Sequence, residues 1–490
     1  MPPIVAAFAF AVGILGLLLL DRNKEAPTSP ALWVPVIWLS IAGSRMVSLW
    51  VGQGSLVSSV ADAAEGNALD RNILTGMIAI GVVVLFRRRA TLGRVLWANL
   101  PMILFFGYAA VSILWSDFPD VAIKRWIKAV GDVVMGLVVL TDPAGSEAIK
   151  RLLARVGSLL VPISVLLIKY YPALGQSYGG PAKNEVLYTG VTTDKNLLGA
   201  LCLLTAMGCV WRLILFVRRE RHDKKLGPII GQLALLLLTL WLFHIANSMT
   251  SLGCFILASG VMSTTLFSKL RENRAVPHLL VVSMLTLVMV GLFVQAGAGL
   301  VEAMGRDQGL TDRTELWGTL IRVNENPIFG AGFESYWLGE RLENLWSIYW
   351  WHPNESHNGY LEVFINLGAV GLVMFGVLVA GGYRTAVRAY RENPEIGGLK
   401  LAWLATGLAY AFTEAGFRLL HPVWIVFVLM LMAPSTAIQA SEGEPAVAAP
   451  PRMPASRWSR SRPDVGFSSA RSREARHTFQ PTGSRPTRRW

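Results

Sequence analysis

Residues 358–382 read NGYLEVFINLGAVGLVMFGVLVAGG, and Glu362 is the sole charged side chain among them. About 20 predominantly apolar residues are enough for a helix to cross the hydrocarbon core of a bilayer. Backbone N–H and C=O groups find no water there, so a crossing segment pairs them internally as a helix. This segment therefore predicts a membrane-spanning helix, entered from the polar sequence around His357.

Similar apolar segments recur throughout the 490 residues, of which 53% are hydrophobic and only 16% are charged. Soluble domains carry about 25% charged residues. We predict an all-α polytopic membrane protein with about 12–13 transmembrane helices. The predicted spans are 3–20, 31–50, 73–86, 97–115, 127–141, 153–169, 190–217, 227–245, 251–268, 277–295, 358–382, 399–413 and 421–437. The first ends at Asp21 without a basic leader or an A-x-A-like site, so we interpret it as an uncleaved helix.

Basic residues between the spans indicate the orientation, because cytoplasmic loops carry an excess of lysine and arginine. With these spans, five basic clusters fall on one side, which we interpret as cytoplasmic. The clusters include Arg88, Arg151, Arg221, Arg271 and Arg388. The longest loop, 297–357, then lies on the periplasmic side. Its nine acidic residues against four arginines agree with that placement.

One basic cluster does not fit this topology. Lys124, Arg125 and Lys128 follow Trp115-Ser116-Asp117 on a turn that is predicted to lie outside. Either these side chains line a site for an anion, or the number of spans before them differs from our prediction.

The chain divides into a multi-span membrane domain, 1–437, with a core at about 190–380, and a polar tail, 438–490. The tail contains ten arginines against four acidic residues and few large apolar residues. That composition cannot offset the entropy of ordering, so we predict a disordered basic cytoplasmic tail beside anionic headgroups. The net charge of +13 is then a matter of membrane topology, and we predict no nucleic-acid partner.

The periplasmic loop contains residue types that suit an anionic or sugar ligand. Arg313 offers a planar fork of donors that matches phosphate oxygens, and a helix Thr314–Val323 is predicted to follow a cap at Thr311 or Asp312. The turn Asn326-Pro327-Ile328-Phe329-Gly330-Ala331-Gly332-Phe333 is rigid and permits close backbone approach. Glu334 follows it, with Tyr336 and Trp337 as aromatic faces for sugar rings. The alternative is a re-entrant helix with an aromatic belt at the interface.

His357 and Asn358 stand where this loop re-enters the membrane. Histidine is the side chain best suited to moving a proton near neutral pH, although a histidine at a helix start is often only a satisfied polar group. The spacing from His352 does not form an H-E-x-x-H zinc helix, so we predict no metal site.

Further polar residues open other spans from the outer side. Lys195 and Asn196 lie in the first turns of a span, where the helix dipole favours anions. Arg45 lies inside a predicted span, which is a functional hypothesis by default because a buried charge is costly. Glu414 and Arg418, four residues apart, either form part of an outer group or pair with each other.

These motifs together resemble a known family. The sets Thr311-x-Arg313-x-x-x-Trp317, Asn326-Pro327…Gly330-x-Gly332-Phe333 and His357-Asn358-x-Tyr360-Leu361-Glu362…Leu367-Gly368-x-x-Gly371 resemble the signature of the O-antigen ligase/polymerase family. Gly190-x-Thr192-x-x-Lys195-Asn196-x-x-Gly199 and Trp115-Ser116-Asp117-x-Pro119 are similar to its exopolysaccharide polymerase branch.

The resemblance implies a GT-C-like glycosyltransferase of the bacterial inner membrane, active on the periplasmic face without metal or cofactor. Its donor would be an oligosaccharide on undecaprenyl diphosphate, and its acceptor another glycan. His357 would be the catalytic base or the group that positions the acceptor, and Arg313 would hold the diphosphate. The substrate-binding candidates are Lys195, Asn196, Asn358, Glu334, Arg45 and Arg418.

One departure favours a polymerase over a ligase. Ligases often carry Ser-Arg where this chain has Ser248-Met249-Thr250, so a second cation must come from Arg45, Arg418 or Lys195. A polysaccharide transporter or lipid flippase is the alternative function, and a non-catalytic scaffold is a third. The sequence fixes neither the sugars nor the oligomeric state.

Overall fold

A computed structural model describes residues 1–21, 27–54, 66–179, 185–218, 226–273, 275–297 and 311–433. Over these residues the protein is almost entirely helical, which confirms the predicted all-α membrane fold. The described strands are one antiparallel pair, β1 (Gln176–Gly179) and β2 (Glu185–Tyr188), in which Gln176 is opposite Tyr188. The predicted disordered tail, 438–490, lies outside the described residues, as does the loop segment 298–310.

The described helices, numbered in chain order, have the following bounds. They are α1 (Pro3–Leu20), α2 (Trp33–Ala42), α3 (Val47–Trp50), α4 (Ala68–Arg87), α5 (Arg89–Ala98), α6 (Leu100–Val111), α7 (Pro119–Leu140), α8 (Ser146–Tyr170), α9 (Pro172–Gly175), α10 (Lys195–Arg218), α11 (Leu226–Ala246), α12 (Met249–Ser263), α13 (Ser268–Glu272), α14 (Val276–Gly297), α15 (Thr311–Val323), α16 (Gly339–Ile348), α17 (Gly359–Glu392), α18 (Pro394–Tyr410) and α19 (Pro422–Leu431).

Fewer helices than predicted are long and apolar enough to cross a membrane. Within the described residues there are seven, or up to eight if the bent pair of helices at Thr91–Ala98 and Leu100–Trp115 forms one span. The predicted 12–13 spans exceed this number because some apolar segments form short helices. In the segment 31–50 the long helix ends at Ala42. In 421–437 the described helix is α19, which has ten residues.

The centre of the bundle is formed by α8 and α10. In each of them 72% of the apolar 18-residue stretch is buried, against 6% in α1. α10 packs against α8, α11 and α12, and α18 packs against α12, α17 and α19. Apolar side chains all round α10 and α18 agree with this position, because a helix that is apolar on every side is buried.

A break in α17 holds the glycine-rich turn of the loop. Gly368 has φ 68° and ψ −169° inside the helix. The turn 326–333 fills the break with backbone hydrogen bonds: Ala369 N donates to Pro327 O at 2.9 Å, and Ala331 N donates to Ile365 O at 3.0 Å. We call residues 326–333 and 365–370 the turn–kink junction.

The start of α7 docks on the same loop. Ser116 Oγ lies 2.7 Å from Ser335 Oγ, and Asp117 Oδ2 lies 2.7 Å from Arg341 Nη2. Arg125, further along α7, donates a hydrogen bond to the carbonyl oxygen of another loop residue, Glu334. The first turns of α7 therefore lie on the same face of the protein as the loop.

Candidate active site

Five charged side chains from separate parts of the chain meet at one end of the bundle. Arg313 comes from α15, Glu355 and His357 from the segment before α17, and Glu414 and Arg418 from the connection after α18. We call these five residues the charge cluster.

Ionic contacts link all its members. His357 Nδ1 lies 2.9 Å from Glu355 Oε1 and 3.6 Å from Glu414 Oε2. Glu414 Oε1 lies 3.6 Å from Arg313 Nη2, and Arg418 pairs with the second carboxylate oxygen of Glu355. The predicted residues His357 and Arg313 are therefore brought together through Glu414. Glu414 and Arg418 do not pair with each other in the described structure.

The segment that carries His357 is held by its neighbours on both sides. Asn358 caps α17, because its side-chain oxygen accepts hydrogen bonds from Tyr360 N at 3.0 Å and Leu361 N at 3.1 Å. Ser356 O accepts a hydrogen bond from Trp317 Nε1 at 2.7 Å. His357 itself has φ 51°, a left-handed conformation that is uncommon outside glycine. A strained residue at this place is consistent with a functional role.

The connection 411–421 is anchored by backbone contacts. Gly359 N donates to Ala411 O at 2.7 Å, and an Arg313 guanidinium nitrogen donates to Thr413 O. At the other end, Asp132 of α7 is fully buried and accepts hydrogen bonds from Leu420 N at 3.2 Å and Trp38 Nε1 at 2.8 Å. These contacts fix the positions of Glu414 and Arg418 relative to α17.

The charges of the cluster stabilise one another. Burial alone would lower the pKa of His357, but the carboxylates of Glu355 and Glu414 outweigh it and raise that pKa to about 9. Burial would raise the pKa of Glu355, yet His357 and Arg418 hold it well below its usual range. His357 is therefore a cation at neutral pH, and the cluster contains three cations and at least one firmly ionised carboxylate.

His421, at the start of α19, behaves differently. Burial lowers the pKa of this histidine to about 4, so it is neutral at physiological pH. Its ring lies 5.7 Å from the Tyr410 ring. The two histidines thus have opposite charge states, because carboxylates in direct contact outweigh burial at His357, whereas burial prevails at His421 despite the charge of Glu355.

The first turn of α10 contributes Asn196 to the edge of the cluster. Its Nδ2 donates to Glu414 Oε2 at 3.4 Å. Asp194 Oδ1 accepts from Asn196 N and Leu197 N, both at 2.9 Å, and so caps the helix. Lys195 makes no ion pair with another described residue, and its substrate-binding role stays a prediction.

Arg45 lies away from the charge cluster, and its side chain contacts the backbone of residues that precede α10. Its guanidinium donates to Thr192 O at 3.0 Å and to Leu174 O. Arg418, rather than Arg45, is therefore the second arginine that the structure brings to the cluster. A substrate-binding role for Arg45 stays a prediction, as it does for Asn358.

Glu334 lies beside the cluster, in the turn after the turn–kink junction. It has φ 52°, and it interacts electrostatically with Arg125 and Arg418. Its side chain lines a pocket with Glu362, whose carboxylate accepts a hydrogen bond from Trp337 Nε1 at 3.0 Å. Aromatic residues from four parts of the chain contribute to the wall, namely Phe105, Phe106, Phe333, Phe417 and Trp424.

Three possible metal ligands also meet in the cluster. Atoms of Glu355, His357 and Glu414 lie within 4.8 Å of one another. Both carboxylates are already within ion-pair distance of arginines, Arg418 and Arg313, which would compete with a divalent cation. The donor set therefore serves an ion-pair network in this structure, and metal independence stays a prediction.

Two members of the cluster were not among the predicted site residues. Glu355 stands in the polar run before His357, and its acidity was the available signal. Glu414 was predicted either to belong to an outer-face group with Arg418 and His421 or to pair with Arg418 four residues on, and the second alternative assumes a helix. The structure has a non-helical connection there, so each side chain is free to reach a different partner.

Comparison with known proteins shows a likeness over part of the chain. Residues 233–376 match the family model described as O-antigen ligase. Over these residues the chain is similar to the O-antigen ligase family. Arg313 and His357 lie inside the matched residues, whereas Asn196 and Glu414 lie outside them. The resemblance seen in the loop motifs is thereby confirmed.

The likeness to a curated relative covers more residues than the match to the O-antigen ligase family model. The chain is 23% identical over 287 residues to the exopolysaccharide production protein ExoQ of Rhizobium meliloti (strain 1021). The match covers 56% of this chain and 62% of the relative, so the chain spans about three fifths of that relative's length.

Proposed function

We propose that this protein polymerises or ligates undecaprenyl-diphosphate-linked glycans at the periplasmic face of the bacterial inner membrane, in surface polysaccharide biosynthesis. The match of residues 233–376 to the O-antigen ligase family model and the likeness to an exopolysaccharide production protein support this class of activity. The observation that carries the proposal is the charge cluster, which joins Arg313 and His357 at the end of a membrane-embedded bundle.

The reaction requires little covalent chemistry from the protein. An acceptor hydroxyl oxygen attacks the anomeric carbon of the donor, a new carbon–oxygen bond forms, and the bond to the lipid diphosphate breaks. The diphosphate leaves with the bonding electron pair, and the hydroxyl proton passes to a base. Orientation of the hydroxyl and stabilisation of the departing charge are then the main tasks of the side chains.

Arg313 and Arg418 suit the departing diphosphate, because guanidinium groups bind phosphate oxygens in bidentate fashion. His357 is cationic at neutral pH, which favours the positioning role over the role of base. Its imidazolium can donate a hydrogen bond to a substrate oxygen. Glu414, next to His357, is our candidate proton acceptor, with Asn196 orienting its carboxylate.

This assignment predicts the direction of a pH effect. If His357 acts as a cation, transfer falls as the pH rises through about 9, the pKa of its ring. If it acts as the base, transfer rises toward that pH. The initial rate of purified protein on a lipid-linked oligosaccharide, measured from pH 6 to 10 alongside His357→Gln, separates the two roles.

The function itself is tested in a deletion strain. Wild type restores long polymer, while His357→Ala, Arg313→Ala and Glu414→Gln each reduce it by ~100-fold or more, the usual effect of losing a proton-transfer or charge-stabilising group. Arg322→Ala, on the exposed face of the same helix as Arg313, and His352→Ala, outside the cluster, serve as matched controls and stay near wild type. Equal membrane abundance is confirmed for each.

The glycans that accumulate identify the branch. Single lipid-linked repeats indicate a lost polymerase, and complete polymer retained on the lipid carrier indicates a lost ligase. Full activity after chelation would support metal independence. If all three cluster variants make wild-type polymer, the proposed function of this site is wrong and the transporter and scaffold alternatives gain weight.

A further inference from the structure

The basic residues that conflicted with the predicted topology lie on the same face as the charge cluster. The first turns of α7 dock on the loop that carries Glu334, to which Arg125 donates. Lys124 and Lys128 belong to those same turns. Because cytoplasmic loops normally hold the excess of basic residues, cations on the opposite face call for a local explanation.

A fourth cation joins this group from α4. α4 and α7 pack side by side in the same direction, since Gly81 lies against Val134 and Met135 while Ile78 approaches Gly131. The two helices therefore begin on the same face. Lys128 is within electrostatic range of both Arg71 and Lys124. We call Arg71, Lys124 and Lys128 the basic patch.

The basic patch carries an excess of positive charge. Arg71 and Lys124 are exposed, Lys128 is half-buried, and none of the three forms an ion pair with a described residue. Asp70, which acts electrostatically on Lys128, is buried and accepts hydrogen bonds from Ser48 N at 2.9 Å and Ser48 Oγ. Adjacent like charges repel, and the positive ends of two parallel helices add to the potential.

The helix that carries Lys124 and Lys128 and the connection that carries Glu414 and Arg418 both contribute to the wall of the aromatic pocket. Ala129 lines that pocket one turn after Arg125, and Phe417 lines it from the connection. Arg125 in turn is within electrostatic range of Arg418. The basic patch and the charge cluster therefore lie on elements that meet around this pocket.

We propose that Arg71, Lys124 and Lys128 bind the diphosphate of a second lipid-linked glycan, the acceptor. This inference rests on the proposed function. In polymerisation both substrates carry a polyprenyl diphosphate, but the acceptor reacts through a sugar hydroxyl at least one sugar away from its own diphosphate. Its phosphates therefore need a separate cationic site on the same face, displaced from the cluster that holds the donor.

The test uses the full-length protein in phosphatidylcholine nanodiscs, with undecaprenyl diphosphate as the probe and native mass spectrometry to count bound copies. Wild type binds two copies. R71Q/K124Q/K128Q loses ~100-fold in affinity for one of them, at roughly 5-fold per cation removed. R384Q/R388Q/R391Q, an exposed basic triple at the far end of α17, binds as wild type does. K124R/K128R retains the charge and both copies.

The outcomes separate the inference from the proposed function. Unchanged affinity in the patch triple, with a normal unfolding temperature, overturns the inference. So does a patch triple that loses phosphatidylglycerol binding but keeps both copies of undecaprenyl diphosphate, because the patch is then a phospholipid site. If the patch triple loses one copy while wild type transfers no glycan, the diphosphate site stands and the proposed function fails. If the triple misfolds, Lys124→Gln alone, at an exposed position, must still weaken one copy several-fold.

Discussion

The turn–kink junction and the charge cluster lie at the same end of α17, but different forces hold them. The junction is formed by backbone hydrogen bonds around Gly368 and involves no ion pair. The cluster is formed by side-chain charges around His357. The first depends on steric fit and the second on protonation. The comparison indicates that backbone hydrogen bonds in one region position the loop, while charged side chains in the other region provide the ionic contacts.

The largest expected effect comes from the junction. Gly368→Ala adds a Cβ that would lie 2.2 Å from Ile328 O, at a φ and ψ available essentially only to glycine. We expect a loss of ~4 kcal/mol in the free energy of unfolding, the combined size of backbone strain and overpacking. Thermal unfolding in detergent measures it.

Gly376→Ala is the matched control for this change. It lies in the same helix, and a Cβ there meets nothing within 4 Å. Helix propensity makes that substitution neutral or slightly stabilising. Equal unfolding temperatures for the two variants would show that the break in α17 does not constrain the fold.

A smaller, pH-dependent effect is expected from the cluster. The pKa of His357 is raised in the folded protein, so its ionic contacts stabilise fully below pH 6.5 and their contribution is lost as the pH rises through about 9. We expect a decline of ~3 kcal/mol across this window. Unfolding temperatures at pH 6, 7.5 and 9.5 measure it.

Glu355→Gln sharpens this experiment. The amide removes one carboxylate from His357 and leaves Arg418 without its partner, so the variant is less stable at neutral pH and its decline with pH is reduced. Gly376→Ala keeps the wild-type slope. A Glu355→Gln slope as steep as that of wild type would mean that His357 does not owe its charge to Glu355.

The smallest effect is expected at Asn358, which caps α17 directly after His357. Asn358→Ala removes the acceptor for Tyr360 N and Leu361 N and should cost ~1 kcal/mol, whereas Asn358→Ser retains a cap. If transfer activity falls far more than stability in Asn358→Ala but not in Asn358→Ser, the cap positions His357. Equal losses of activity in both variants would point instead to direct substrate binding by the amide.

The helices were predictable because apolar length alone decides them in a bilayer. The number of membrane-spanning helices was not predictable. One apolar segment is interrupted at Gly43, and another forms only the short α19. The predicted cap at Thr311 or Asp312 was wrong, because the helix already includes both residues. Arg313 and His357 could be singled out from residue type, and their roles stay a prediction. Glu414 contacts residues 57 and 101 positions away, and Glu355 pairs with a residue 63 positions away, which no local spacing reveals.

The connection 411–421 has a consequence for how the protein is made. Arg313 and His357 leave the ribosome well before Glu414 and Arg418, so the emerging chain first holds two cations without Glu414, and Glu355 without its arginine. These ion pairs form only after α18 has been made and the chain has turned back toward α19. Synthesis order thus delays assembly of the charge cluster until nearly the whole bundle has been synthesised.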